Sequence, residues 1–291
     1  MAHWKHYYIP QSLASALEVL QHAPGTTRLV AGGTDLLLEI QQGHHPPVDN
    51  LVDVNQIPEM QKLEIEGEKL IIGAAVPLKK IANSEMVMLH ASALHDASEL
   101  VGGPQVRNTA TLGGNVSHAL PAADGMIALM ALQPDVVIIS PSESKKVLIQ
   151  SIFKGPGQST LTPVEIVTEF QLNLALEGQA SAFGRIMRPQ GVALPILNLA
   201  VWLQRAGDKI QQCRIAVGPA GPVPFLCTDA AQIFCGQEPT PQIIEEVGRS
   251  ILEQVHYRTS PRRATAEYRN HITAGLLNEV FQKAWGRSFL Q

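Results

Sequence analysis

The chain has 291 residues, of which 45% are hydrophobic and only 16% are charged, a balance that excludes an intrinsically disordered protein. With 22 basic and 26 acidic residues the formal net charge is -4, which argues against a general nucleic-acid-binding surface. The length predicts two or three domains, because a single hydrophobic core seldom grows beyond about 250 residues.

The first sixty residues predict strands and helices in alternation. Apolar residues recur at helical spacing after Ser12, a suitable N-cap, and Gly32 and Gly33 separate a short buried strand from the next helix. The predicted elements are a helix over 12–21, a strand over 27–31, a helix over 36–40 that Thr34 and Asp35 can cap and Gly43 ends, and a strand over 51–54.

From residue 63 the pattern changes to a β-hairpin, with apolar residues alternating on both sides of Gly67. Helical and strand segments then mix without strict β–α–β order, so we predict an α+β fold. The predicted elements are helices over 77–82, 84–100, 121–132, 243–252 and 268–285, a strand-like segment over 109–112, and strands over 136–139, 165–174, 181–186 and 210–217.

Three Gly-Gly pairs punctuate the chain, at 32–33, 102–103 and 113–114. The first and third follow a predicted strand and precede a small polar residue and a helix. Glycine removes the Cβ that would block a ligand, and consecutive free N–H groups can bind an anion. Neither segment fits the G-x-G-x-x-G or the G-x-x-x-x-G-K-[ST] motif. From the residues alone, ordinary tight turns and a pair of pyrophosphate-binding loops both remain open.

Cys213, Cys227 and Cys235 show no C-x-x-C spacing, which argues against a disulfide framework and a zinc site. Three thiolates are also fewer than the four that an iron–sulfur cluster needs. The N-terminal residues lack the apolar core of a signal peptide, and the longest nearly apolar run, 191–203, is too short to span a bilayer. We therefore expect a cytoplasmic protein without a membrane span.

The residues around both glycine pairs resemble the flavin-binding loops of one family. LVAGGTDL at 29–36 resembles the first loop of the molybdenum hydroxylase flavoproteins, and QVRNTATLGGN at 105–115 resembles their second. The PAAD segment at 121–124 follows at the family's distance, and RRATAEYR at 262–269 resembles the motif that opens the last helix. Nearly the whole chain resembles the FAD-binding (medium) subunits of bacterial molybdenum hydroxylases, closest to the xanthine dehydrogenase type.

The resemblance implies an α+β fold in three parts. Residues 1–57 and 58–175 would form the two subdomains of an FAD-binding domain of the vanillyl-alcohol-oxidase-like (PCMH) type. Residues 176–291 would form a smaller α+β C-terminal domain with a three-stranded sheet and helices.

The resemblance also implies a set of FAD-binding residues. The first loop would wrap the pyrophosphate, Asp124 would accept hydrogen bonds from flavin hydroxyls, and Val101 and Val167 would lie beside the ring. Some relatives carry a basic residue where this chain has Gly184, so Arg185 or Arg188 would replace it. The implied cofactor-binding residues are Leu29, Val30, Ala31, Gly32, Gly33, Thr34, Asp35, Leu36, Val101, Thr111, Gly113, Gly114, Asn115, Asp124, Val167 and Arg185, with no catalytic and no metal-binding residue.

The implied function is electron transfer within a complex. FAD on this chain would take electrons from a small 2Fe–2S subunit, after oxidation of a substrate such as a purine on a large molybdopterin subunit, and pass them to NAD+ or another acceptor. Two alternatives remain: a self-contained flavin-dependent oxidase or dehydrogenase, and a non-catalytic partner-binding subunit that keeps the loops as scaffold.

Overall fold

The computed structural model has the predicted α+β fold, in which helices are mixed with three main β-sheets. Arg262, the first residue of the C-terminal motif, and residues 191–193 of the apolar run lie outside its described part. The structure describes residues 4–44, 46–188, 194–261 and 263–290.

The first sheet is parallel, and its middle strand is the last of the three in the chain. As predicted, Ser12 is the N-cap of the first helix, and its hydroxyl accepts a backbone N–H at 3.2 Å. Each helix connects the end of one strand to the beginning of the next parallel strand. The elements are β1 (His6–Tyr8), α1 (Leu13–His22), β2 (Thr27–Val30), α2 (Leu36–Gln41) and β3 (Asn50–Asp53).

The second sheet has five antiparallel strands and carries a layer of short helices. The predicted hairpin around Gly67 forms one edge, and the strand that comes last in the chain among these five lies at the centre of the sheet. The elements are β4 (Leu63–Glu66), β5 (Lys69–Gly73), α3 (Leu78–Ala82), α4 (Glu85–His90), α5 (Ser92–Leu100), α6 (Pro104–Thr109), α7 (Leu112–Ser117), α8 (Asp124–Leu132), β6 (Asp135–Ile139), β7 (Ser144–Leu148), a small hairpin of β8 (Phe153–Gly155) and β9 (Gln158–Ser159), and β10 (Ile166–Asn173). A 3-10 turn at Pro58–Gln61 precedes the first of these elements, and another at Ile149–Ile152 follows β7.

The single helix predicted over 84–100 is wrong, because the chain leaves the helical conformation at Ala91, with φ -144° and ψ 50°. The break is fixed from outside the helix. Ser92 Oγ donates to Ser181 O at 2.7 Å, and Ala93 N donates to Ser181 Oγ at 2.9 Å. These bonds anchor α5 on a strand about ninety residues away, which local sequence patterns cannot show.

The strand-like segment predicted over 109–112 is also wrong. Helix α6 runs to Thr109, and Thr111 forms only an isolated β-bridge with Pro77. Thr111 is instead the N-cap of α7, so Gly113 and Gly114 lie in the first turn of a helix. The β-branched threonine that favoured a strand here serves as a helix cap.

The C-terminal segment forms an antiparallel sheet of the three implied long strands, extended by a two-residue strand at its edge. Its helices pack on one face of this sheet around a second core, where the rings of Phe234 and Phe281 stack with centroids 4.5 Å apart. The elements are β11 (Gln179–Met187), β12 (Pro195–Ala206), β13 (Lys209–Gly218), β14 (Phe225–Leu226), α9 (Thr228–Ile233), α10 (Pro241–Gln254) and α11 (Ala266–Arg287).

A buried carboxylate joins the C-terminal segment to the helical layer of the middle segment. Asp96 on α5 is 5% exposed, and its carboxylate accepts hydrogen bonds from both Nη atoms of Arg287 on α11, at 2.8 and 2.9 Å. Lys283 Nζ lies 3.0 Å from the same carboxylate, and the backbone N–H of Phe183 donates to it at 3.1 Å. Such a bidentate arginine–carboxylate pair fixes relative orientation as well as distance.

The three cysteines are free thiols. Burial raises the pKa of Cys227 to about 12, which makes this thiol a poor nucleophile or ligand at neutral pH. Within the described ranges no cluster of three or more His, Cys, Asp or Glu side chains could hold a metal ion. Within the same ranges, no helix is both long and apolar enough to cross a membrane.

Candidate functional site

The first glycine loop connects β2 to α2 and is held at both ends. Asn55 Nδ2 donates to Ala31 O at 2.9 Å, and Leu37 N donates to Gly33 O at 3.0 Å. Gly33 has φ +65°, a conformation that side chains with a Cβ rarely adopt. Among the described residues, no protein acceptor binds the backbone N–H groups of residues 32–36. The loop therefore presents consecutive unpaired donors of the kind that bind a phosphate.

The two glycine segments meet at Gly32. A Cβ placed on Gly32 would lie 2.2 Å from Thr109 O and 2.8 Å from the Cα of Ala110. Backbone therefore packs directly on backbone at this point, and only glycine leaves enough space. Because Thr111 follows immediately, the structure places the predicted loops side by side although about eighty residues separate them.

The second loop differs from the first because its own N–H groups are already used. Thr111 Oγ1 accepts Gly114 N at 3.2 Å, and Thr111 O accepts Asn115 N at 3.0 Å. Gly113 N donates to Ala74 O at 2.8 Å, and a Cβ on Gly113 would lie 2.6 Å from the Ala74 side chain. Gly113 is therefore required by internal packing.

Gly114 faces outward, in contrast to its neighbour. It is exposed, and a Cβ there would meet only Thr111 Oγ1, at 3.0 Å. Asn115 lies against the start of α8, where its Oδ1 is buried without a hydrogen-bond partner in the described residues. The second loop thus has one outward-facing glycine and, next to it in the chain, one unpaired polar atom.

Asp124 begins α8 and is buried in a polar cluster. Its Oδ2 accepts a hydrogen bond from Arg185 Nη1, and its Oδ1 accepts Asn198 Nδ2 at 2.9 Å. The second Nη of Arg185 donates to Leu100 O. Burial raises the pKa of Asp124 to about 6, while Arg185 and Asn198 act in the opposite direction. The predicted flavin contacts Asp124 and Arg185 therefore contact each other.

The two predicted ring-side valines lie in different surroundings. Val101 is partly buried directly after α5, and Arg107 Nη1 donates to its carbonyl at 3.2 Å. Val167 is 5% exposed and lies in β10 opposite Ile138, next to a shift in strand register. The carbonyl oxygen of the following residue, Thr168, accepts a hydrogen bond from Ala74 N at 2.8 Å. This bond connects β10 to Ala74, the residue after β5 whose own carbonyl binds Gly113 N.

Sequence reasoning missed two polar residues that organise these groups, Asn55 and Asn198. Asn198 is fully buried on β12 and also donates to Ala122 O at 3.1 Å. The sequence indicated this role by an amide side chain inside the otherwise apolar run 191–203, because a buried amide needs hydrogen-bond partners. Asn55 follows a predicted strand without any distinguishing pattern.

Comparison with known proteins assigns this arrangement to a family. Residues 2–172 match the family model described as the FAD binding domain in molybdopterin dehydrogenase. The chain belongs to this family. Residues 181–284 match a second model, the CO dehydrogenase flavoprotein C-terminal domain. The family assignment confirms the predicted FAD-binding (medium) subunit and FAD as its cofactor.

Several relatives align over nearly their entire lengths. The xanthine dehydrogenase FAD-binding subunit of Escherichia coli O157:H7 is 28% identical over 280 residues, covering 96% of this chain and 95% of that protein. The nicotinate dehydrogenase FAD-subunit of Eubacterium barkeri is 27% identical, covering 94% of each. The fold is that of the carbon monoxide dehydrogenase chain solved from Hydrogenophaga pseudoflava, with a TM-score of 0.91, 23% identity and coverage of 97% of this chain and 98% of that one.

The family's cofactor fits the residues present. The unpaired N–H groups of residues 32–36 suit the oxygens of a pyrophosphate, and exposed Gly114 leaves space beside them. Asn115 Oδ1 is an unpaired acceptor, and each oxygen of Asp124 has a second lone pair beside the bond from Arg185 or Asn198, which suits the hydroxyl groups of a ribityl chain. The residues present therefore include both donors for a phosphate and acceptors for a hydroxyl group.

Proposed function

We propose that this chain is the electron-transfer subunit of a xanthine dehydrogenase-like molybdenum hydroxylase. Substrate oxidation takes place at molybdopterin on a large subunit, and a small 2Fe–2S subunit passes the electrons to FAD on this chain. NAD+ is the proposed final acceptor. The observation that carries this proposal is the match to both family models, together with full-length alignment to FAD-binding subunits of such dehydrogenases.

FAD supplies the redox chemistry, and this chain binds, orients and shields it. The N–H groups of residues 32–36 hold the pyrophosphate, and Gly114 allows its close approach. Asn115 and Asp124 accept hydrogen bonds from hydroxyl groups, while Val101 covers one side of the ring. No acid or base on this chain takes part, since electron transfer through the flavin requires none from it.

We also propose the division into residues 1–57, 58–175 and 176–291. Its support is that each segment contains one of the three main sheets. In this division the first two segments supply the glycine loops, Val101, Asp124 and Val167. The third contributes Arg185 from the strand β11.

The visible spectrum of the purified chain tests the FAD site. Gly114→Val should lower FAD occupancy at least about tenfold while preserving the fold, because its Cβ meets only Thr111 Oγ1 within the chain. Gly275→Val is the matched control, since Gly275 is an exposed helix glycine with nothing within 4 Å of its Cβ position. Equal occupancy in both variants would contradict the placement of the site.

Purification of the native complex tests the subunit assignment. Co-purification with two further chains, one carrying molybdenum and one carrying iron, is the expected result. A monomer with complete substrate turnover would instead support a self-contained flavin enzyme. A chain that cannot be reconstituted with FAD would leave only the partner-binding alternative.

A further inference from the structure

Two arginines hold three consecutive carbonyl groups at the end of α5. Arg107 Nη1 donates to Val101 O at 3.2 Å and to Gly102 O at 2.8 Å, while Arg185 Nη2 donates to Leu100 O. Gly102 has φ +50°, so the chain turns sharply at this point. The turn that carries the proposed ring-side valine is therefore fixed by side chains from two different elements.

Arg185 also holds the carboxylate of Asp124, at the start of a different helix. The side chains of Arg185 and Asp124 are only 5% and 4% exposed. Asn198, which pairs with Arg185 across β11 and β12, binds the other carboxylate oxygen. The C-terminal sheet therefore presents two neighbouring side chains to one acidic group of the FAD-binding domain.

The alternation of the strand explains why residue 185 takes this place. A Cβ on Gly184 would lie 2.6 Å from Val280 Cγ2 and 3.3 Å from Leu276 Cδ1, so this face of β11 packs on α11. Successive side chains of a strand point to opposite faces, which directs Arg185 towards α5 and α8. A long basic side chain at residue 184 would therefore run into α11.

We propose that Arg185 is a positioning residue of the flavin site. Its guanidinium joins Asp124, the proposed acceptor for flavin hydroxyls, to Leu100, the residue before Val101. The hydroxyl-binding and ring-side parts of the site thus keep one fixed spacing, which the C-terminal domain sets. The side chain of Arg185 is only 5% exposed, so in this proposal it acts through these two groups and does not make the direct FAD contact that the resemblance implies. The inference rests on the proposed function, because it takes the site to hold FAD.

The planar geometry of arginine is essential to this role. A guanidinium donates in two fixed directions at once, whereas an ammonium group is a single point charge. Arg185→Lys should therefore retain the charge next to Asp124 but lose the bond to Leu100 O. Arg185→Met removes both bonds at similar side-chain length.

A comparison of FAD with ADP tests the proposal, because ADP contains the pyrophosphate but neither ribityl chain nor ring. Arg185→Met should raise the Kd for FAD about tenfold and change the visible circular dichroism of the bound flavin, with the Kd for ADP within about twofold of wild type. Arg185→Lys should give an intermediate flavin spectrum. If Arg185→Met does not fold, Arg185→Lys carries the test, because it keeps a positive charge next to Asp124 and should still raise the Kd for FAD while leaving the Kd for ADP unchanged.

Arg287→Met is a closely matched control. Arg287 likewise joins the C-terminal segment to a buried carboxylate of the middle segment, Asp96, and it also donates to a carbonyl, Ser181 O at 2.9 Å within its own segment. It should lower stability without changing the flavin spectrum. Wild-type FAD affinity and spectrum in Arg185→Met, or an equal loss of ADP and FAD, would overturn the positioning role. If the wild-type protein binds neither ADP nor FAD at any concentration tested, the proposed function is overturned as well.

Discussion

Gly32→Ala tests the packing of the two glycine loops against each other. The new Cβ would lie 2.2 Å from Thr109 O, whereas real Cβ atoms essentially never approach closer than 3.0 Å, so the segments must separate by at least 0.8 Å. Thr109 O belongs to the backbone, so no side-chain rotation can relieve the contact. Overpacking of this kind costs about 1–3 kcal/mol of folding free energy.

The same displacement should weaken FAD binding. A shift of 0.8 Å is enough to break at least one hydrogen bond between the loop and the charged pyrophosphate, a bond worth about 1.5–3 kcal/mol. Because each 1.4 kcal/mol is a factor of ten, the Kd for FAD should rise roughly 10- to 100-fold. Isothermal titration calorimetry measures the Kd, and urea unfolding measures the stability.

Gly221→Ala is the control for this experiment, since nothing lies within 4 Å of its Cβ position. It should leave both stability and FAD affinity unchanged. If Gly32→Ala binds FAD with the wild-type Kd and unfolds at the wild-type urea concentration, the close approach of the two loops is wrong.

Two further predictions concern stability. Gly275→Ala, at an exposed position inside the 22-residue α11, should raise the free energy of unfolding by about 1 kcal/mol through helix propensity, and a loss of stability in urea would contradict this. Arg287→Gln should lower the free energy of unfolding by about 3 kcal/mol at pH 7, because it breaks the buried ion pair with Asp96. This value is near the low end for the loss of a buried ion pair, because Lys283 still faces the carboxylate. Burial alone would raise the pKa of Asp96, but Arg287 and Lys283 hold it below its ordinary value. The stability that this pair provides is therefore complete above about pH 4 and is lost as the pH falls further, so the difference between wild type and variant should shrink there and not grow.

Local patterns predicted the first loop well, because all its determinants are close together in the chain. An apolar strand, two glycines and an apolar helix follow one another within fifteen residues, and the structure places β2 and α2 accordingly. The second loop was predicted with the wrong structure, because Thr111 has a β-branched side chain but acts as a helix cap. Backbone bonds from Leu112 N to Val76 O and from Gly113 N to Ala74 O fix that choice from outside the segment.

The cluster around Asp124 could not be derived from local patterns at all. Arg185 lies 61 residues and Asn198 lies 74 residues further along the chain, and each sits in a strand whose periodicity reports only burial. Yet the burial of a carboxylate demands such partners, because an unpaired charge in the interior is strongly unfavourable. An acidic residue at the start of an otherwise apolar, buried helix therefore implies a basic or amide side chain from another element. In this chain that partner comes from the C-terminal sheet, which ties the domain without glycine loops directly to the proposed flavin site.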